Sequence, residues 1–220
     1  VVKIAAALAW YDEPLDFLTR CVASLEGLVD EIVAVDGAWE LFEGGPASEP
    51  EQEEAIWFAA RQAGIAPRVL IPHRVWESQV AKRARLMELA SEHADWVLVI
   101  DGDEYVTYSE PETVRRELDD TDLLCAYVTF RNLNHGETMP GTTPQSGLNR
   151  RLFRSGTTVR TVHSGYFHGK RNVLVNEEAL DLRTCLALEH DNVNRGFERN
   201  QRSRMYRQRR DMYAEKWVTV

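Results

Sequence analysis

Two textures alternate along the first half of this chain. Short runs that are apolar throughout predict buried strands, and stretches whose apolar residues recur every three or four positions predict helices. Val2 to Leu8 is the first apolar run, partly β-branched. It ends in Ala9-Trp10-Tyr11-Asp12-Glu13-Pro14, after which Leu15, Leu18, Val22 and Leu25 fall at helical spacing. Pro14 suits the first turn of that helix and Gly27 its end. Glu31 to Val35 predicts a second strand that stops on Asp36-Gly37. A loop over Ala38 to Pro50, a helix from about Glu51 to Ala63 and a third strand over Arg68 to Ile71 follow. Glu77 to His93 predicts a helix with Val80, Ala84, Met87 and Ala90 on one face and Lys82, Arg83 and Arg85 elsewhere. It leads into Trp96-Val97-Leu98-Val99-Ile100, a strand with no polar face.

This order predicts an α/β fold with a mixed, mainly parallel sheet flanked by helices. After a short helix over Pro111 to Leu118 the texture changes. Leu123 to Phe130, Leu148 to Phe153 and Thr157 to Val162 are strand-like, and Asn132 to Gly147 predicts a loop rich in Gly, Pro, Thr and Asn. Thr184 to Glu189 predicts a last strand running into His190-Asp191. Arg195 to about Trp217 predicts a long charged helix. The expected division is one domain over residues 1–193, with a nucleotide-binding half at 1–105 and an acceptor half at 106–193, then a C-terminal helical extension at 194–220.

The candidate chemistry gathers where the Trp96 strand ends, in Asp101-Gly102-Asp103-Glu104. Three carboxylates in four residues repel one another unless a cation sits between them, and a divalent metal is the economical cation. Gly102 lets backbone approach a ligand. In open α/β sheets ligands gather past the carboxyl ends of strands, where this turn falls. An acidic turn can also be a solvated loop. No Gly-x-Gly-x-x-Gly or Walker lysine loop follows the first strand, which sets aside the usual dinucleotide and P-loop readings.

Composition narrows the field. With 35 acidic against 26 basic residues the formal charge is -9, which argues against a general nucleic-acid partner. Cys21, Cys125 and Cys185 lie far apart with no metal-ligand spacing, so buried free thiols in a reducing compartment are expected. No apolar run reaches membrane-spanning length and no signal peptide is evident, so an integral membrane segment is not expected and a cytoplasmic location is. The tail crowds seven arginines from Arg195 to Arg210, interleaved with Glu198, Asp211 and Glu215, as a solvated helix packed on the body would be.

Together these segments resemble family 2 glycosyltransferases over roughly residues 2–195. Ala9-Trp10-Tyr11-Asp12-Glu13 looks like that family's Pro-x-Tyr-Asn-Glu segment, with Ala9 and Asp12 in place of Pro and Asn. Asp36 stands where the family ends its second strand on an aspartate, and Lys82-Arg83 is similar to its Arg-Asn helix. Asp101-Gly102-Asp103 matches its Asp-x-Asp motif. Arg150-Arg151-Leu152-Phe153-Arg154 with Val162-His163 resembles a stretch of many bacterial members.

The resemblance implies a GT-A fold and transfer of a sugar from a nucleotide-sugar donor, most often UDP-linked, to a glycan, lipid or protein acceptor. Asp103, with Asp101, would hold Mn or Mg against the diphosphate, and His190 is a candidate further ligand. Arg83 would add a forked cation to the phosphates. Ala9, Tyr11 and Glu13 would line the base pocket, Asp36 would accept hydrogen bonds from base or ribose, and Gly102 would lie along the donor. No Glu-Asp pair occurs between Phe130 and His163, which leaves Glu137 and His163 as groups able to accept the acceptor's proton. Each residue has a plainer role open to it. Asp36 can be a turn residue, Arg83 can pair with Glu77 or Glu88, His190 can pack at a strand end, and Trp10 reads best as core. Two rival functions remain, a haloacid dehalogenase-like phosphatase and a non-catalytic nucleotide-sugar-binding module. Sugar, acceptor, base, stereochemical course and oligomeric state are not readable from the sequence.

Overall fold

A computed structural model describes residues 1–40, 42, 44–134, 137–138, 149–162, 179–191 and 215–219. Its spine is four parallel strands, β1 (Ile4–Ala9), β2 (Glu31–Val35), β3 (Ala66–Leu70) and β4 (Trp96–Asp101), in the order β3-β2-β1-β4. The connecting helices are α1 (Leu15–Ala23), α2 (Pro50–Gln62) and α3 (Gln79–Ala90).

Period-two alternation on β1 assigns the two faces. Ile4, Ala6 and Leu8 pack with Leu18, Val22 and Leu25 of the α1 region and with Ile56, Ala59 and Ala60 of α2. Ala5 and Ala7 point the other way, against Ala84, Leu86, Met87 and Ala90 of α3. The small alanines let α3 approach the sheet closely. Ser78 starts α3 by accepting the Ala81 amide on its hydroxyl at 3.0 Å, a cap worth about 1 kcal/mol. Gly27, at φ +72°, supplies the left-handed turn after α1.

The second half extends the same sheet. It contributes β5 (Glu104–Ser109), α4 (Pro111–Asp119), β6 (Cys125–Asn134), β7 (Glu137–Thr138), β8 (Asn149–Arg154), β9 (Thr158–Val162), β10 (Leu180–Asp181) and β11 (Leu186–His190). Beyond β4 the order runs β8-β6-β11-β5. β8 is antiparallel to both β4 and β6, β11 is parallel to β6, and β5 is antiparallel to β11. The sheet is therefore mixed, as expected, with its parallel pairs among β1–β4 and between β6 and both β10 and β11.

The acidic turn leads directly into β5, a strand the apolar pattern did not predict, which pairs with β11. One expectation needs correction. The charged tail helix over 195–217 lies mostly outside the described residues. At its end, Glu215–Thr219 forms β12, antiparallel to β9, where a helix was expected. Among the described residues no helix is long and apolar enough to cross a membrane.

All three cysteines are buried and free. Burial pushes the Cys21 thiol well up and the Cys125 thiol to about 11, and it raises Cys185 too. The native protein is expected to react slowly with a disulfide reagent at neutral pH and to release three thiol equivalents in denaturant. Fast native labelling of any cysteine would contradict this packing.

Candidate active site

The parallel strands deliver their carboxyl ends to one level. Ala9 pairs with Val35 on one side and with Asp101 on the other. The Trp10 amide donates to the Val35 carbonyl at 3.3 Å, and the Asp36 amide donates to the Leu70 carbonyl at 3.0 Å. Ala9, Asp36 and Asp101 thus stand side by side on the edge where open α/β sheets take ligands.

The acidic turn is held by cations of the chain itself. One terminal nitrogen of Arg83 donates to both oxygens of Asp101, at 3.0 and 2.9 Å. Arg83 thereby lies beside the acidic turn. Asp103 meets His190 across 87 residues, with Oδ2 2.7 Å from Nε2. The Asp103 side chain is 2% exposed and that of His190 19%. Glu104 pairs with Arg151 of β8 at 2.6 Å, and both side chains are wholly buried. The other Glu104 oxygen accepts the Asp101 amide at 2.9 Å. The Asp191 amide donates to the Asp103 carbonyl at 2.8 Å, which ties the turn to the end of β11. Burial holds the Glu104 carboxyl above its ordinary range, with Arg151 opposing. Repulsion among these carboxylates is therefore relieved in large part by Arg83 and Arg151, without calling on a metal for all of it.

Gly102 is buried, and a Cβ there would stand 3.0 Å from Glu13 Cγ, 3.2 Å from Leu18 Cδ2 and 3.5 Å from Trp10 Cβ. The space its missing side chain leaves is taken up by the chain's own Glu13, Leu18 and Trp10, so close approach of a ligand is not what demands glycine.

Asp36 is buried and engaged. Its Oδ2 accepts the Ser48 amide and its Oδ1 the Ser48 hydroxyl, each at 2.6 Å. The same hydroxyl accepts the Asp12 amide at 2.8 Å. Asp12, at φ +50°, is the residue other than glycine in the left-handed region among those described. Gly37, at φ +108°, has no room for a Cβ, which would lie 2.5 Å from Pro72 Cγ. Tyr11 packs edge-on to Phe42 at 5.6 Å in a cluster with Ala38, Trp39 and Trp76. The loop predicted over Ala38 to Pro50 is thus seated on the strand ends through Ala38, Trp39, Phe42 and Ser48. Its aromatic residues gain burial, and Ser48 satisfies a carboxylate that burial would otherwise penalise.

Glu13 is buried, and its amide donates to Gln52 Oε1 at 3.1 Å. Trp10 is buried in the larger core, as expected. Lys82 and Arg83, read as lying off the packed face of α3, are both buried. Lys82 Nζ donates to the carbonyls of Trp10 and, at 2.9 Å, Gly37. It clamps the turns that follow β1 and β2. Of the candidate bases, Glu137 opens β7, where it pairs with Asn134, and His163 lies outside the described residues. Among the described residues no group of three His, Cys, Asp or Glu side chains is assembled as a ready-made metal site.

Sequence reasoning missed Ser48 and gave Lys82 and Arg151 no task of their own in this region. Glu104 was read only as the third acid of the turn, and its buried pairing with Arg151 was not foreseen.

No family model matches the chain. It is 30% identical over 145 residues to a TPR repeat-containing protein of Synechococcus elongatus, an alignment that covers 66% of this chain and 30% of that protein. The chain thus spans less than a third of that relative's length. Among solved structures, TarS of S. aureus in complex with UDP matches 69% of this chain and 46% of its own, at 16% identity and a TM-score of 0.51. The same protein in complex with UDP-GlcNAc covers 69% and 45%, at 16% identity and a TM-score of 0.49. At such identity the likeness to the UDP complex establishes the fold alone, and that fold is of the GT-A type.

Proposed function

We propose, taking the GT-A fold as premise, that this chain is the catalytic module of a glycosyltransferase. It would move a sugar from a nucleotide donor, with UDP as the nucleotide, to a hydroxyl of a glycan, lipid or protein. The observation that carries the reading is the meeting of Asp103 with His190, at 2.7 Å from segments 87 residues apart, beside Asp101 on the carboxyl edge of the parallel strands. The bound UDP in the TarS structure supports the choice of nucleotide.

A divalent cation fits the donors on this edge. Carboxylate oxygen and imidazole nitrogen suit Mn, and Mg or Mn sites commonly use one or two carboxylates with substrate phosphates completing the shell. Asp103 and His190, with Asp101, would hold it. A cation bound there would neutralise charge developing on the departing diphosphate. Arg83 keeps positive charge on the same edge while orienting Asp101. Glu137 and His163 stay the candidates for accepting the proton of the acceptor hydroxyl.

The test is thermal unfolding of the protein with UDP and UDP-sugars in Mn, in Mg and in EDTA. A ligand that binds the native state raises the midpoint with its concentration. UDP is expected to raise it in Mn and to lose most of the effect in EDTA. A shift with metal and a phosphate mimic but with no nucleotide would overturn the reading in favour of phosphatase chemistry.

A further inference from the structure

We propose that Glu104 and Arg151 form a positioning device that sets the direction of Asp101 and Asp103. This rests on the proposed donor site. The turn between β4 and β5 has to hold the Asp101 and Asp103 carboxylates in fixed directions while the chain reverses. Glu104 is the turn's third acid, and its two oxygens are divided between two tasks. Oε1 takes the Arg151 guanidinium at 2.6 Å, and Oε2 takes the Asp101 amide at 2.9 Å.

Arg151 is itself anchored. It belongs to β8, which is paired to β4 on one side and to β6 on the other, and its guanidinium lies 4.3 Å from the centre of the Phe130 ring on β6. Glu104 is also the register partner of His190 on β11. The pair therefore connects the turn to three strands of the sheet and fixes the backbone from which Asp101 and Asp103 project. A buried ion pair seldom adds stability over apolar side chains of equal size. Its value here is direction: the Asp101 amide is locked to a group that cannot move.

Two double variants separate direction from packing. Glu104→Gln with Arg151→Met removes both charges and keeps an acceptor for the Asp101 amide. Glu104→Leu with Arg151→Met removes both charges and the acceptor. Two quantities are read on each: hydrogen exchange of the Asp101 amide in the ligand-free protein, and affinity for Mn alone by proton relaxation. The Gln variant is expected to keep slow exchange and Mn affinity near that of the parent. The Leu variant is expected to exchange at least about 10-fold faster and to bind Mn roughly 10 to 100-fold more weakly, the usual effect of losing an outer-shell partner.

Equal exchange and equal Mn affinity in the two variants would overturn the proposal and leave the pair as core filling. Should the Leu variant not fold, Glu104→Asp serves in its place. It retains the charge beside Arg151 but is one methylene too short to reach the Asp101 amide, and unchanged exchange there would equally refute positioning. If the parent protein binds neither Mn nor UDP, the glycosyltransferase reading fails, while the exchange measurement still decides the role of Glu104.

Discussion

Arg151→Met is expected to destabilise the protein by about 3–5 kcal/mol, the range for stranding one member of a buried ion pair. Both side chains of the Glu104–Arg151 pair are fully buried, so no water can replace the lost guanidinium. Adding Glu104→Gln to that variant should recover most of the loss, because the carboxylate is then replaced by a neutral amide that still accepts the Asp101 hydrogen bond. Urea denaturation of the three proteins measures both steps. The penalty should also depend on pH in a defined direction. Burial already raises the Glu104 pKa and Arg151 lowers it, so losing Arg151 raises it further. A carboxyl whose folded pKa lies above its unfolded value contributes stability that is complete below the unfolded pKa and is lost as pH rises through the folded one. The gap between parent and Arg151→Met should therefore narrow from pH 7 toward pH 4. A gap that widens on acidification would show that Glu104 is not the group responsible.

The second large effect is expected at Asp103. Replacement by Asn keeps a hydrogen-bonding partner for His190, so the fold should persist. It removes the anionic oxygen expected to meet the cation. Affinity for UDP in Mn should fall by at least about 100-fold, beyond the usual cost of an outer-shell change, while affinity in EDTA stays where it was. Calorimetric titration in both media reads the difference. Undiminished affinity of Asp103→Asn in Mn would remove Asp103 from the donor site.

The positions of these two acids show what a sequence carries and what it omits. The strands ending in Ala9, Asp36 and Asp101 were legible because a parallel strand buried on both faces is apolar at every position. Their alignment on one edge follows from winding such strands in register. β5 was not legible. Glu-Tyr-Val-Thr-Tyr-Ser follows its buried first residue with half-buried and exposed ones on a strand at the end of the sheet, and it begins inside an acidic cluster that read as a cation site. Lys82 was misread for a different reason. Its ammonium is satisfied by backbone carbonyls 72 and 45 residues away. Nothing within one turn of α3 signals them, so helical periodicity can only count the residue as polar. The Arg83 contact with Asp101 was not legible either, since the two residues are near only in space. The Ser48 contact with Asp36 was hidden in the same way, by a loop whose composition suggested solvent and whose aromatic residues chose the strand ends.

That contact makes the loop a tethered competitor. Both oxygens of Asp36 are already matched by one amide and one hydroxyl, the donor types that a ribose or a pyrimidine ring would bring. Ser48 is presented at the high local concentration that a short tether enforces. For a ligand group that takes the place of Ser48 on Asp36, the dissociation constant observed equals the intrinsic one divided by the fraction of molecules in which Ser48 has let go.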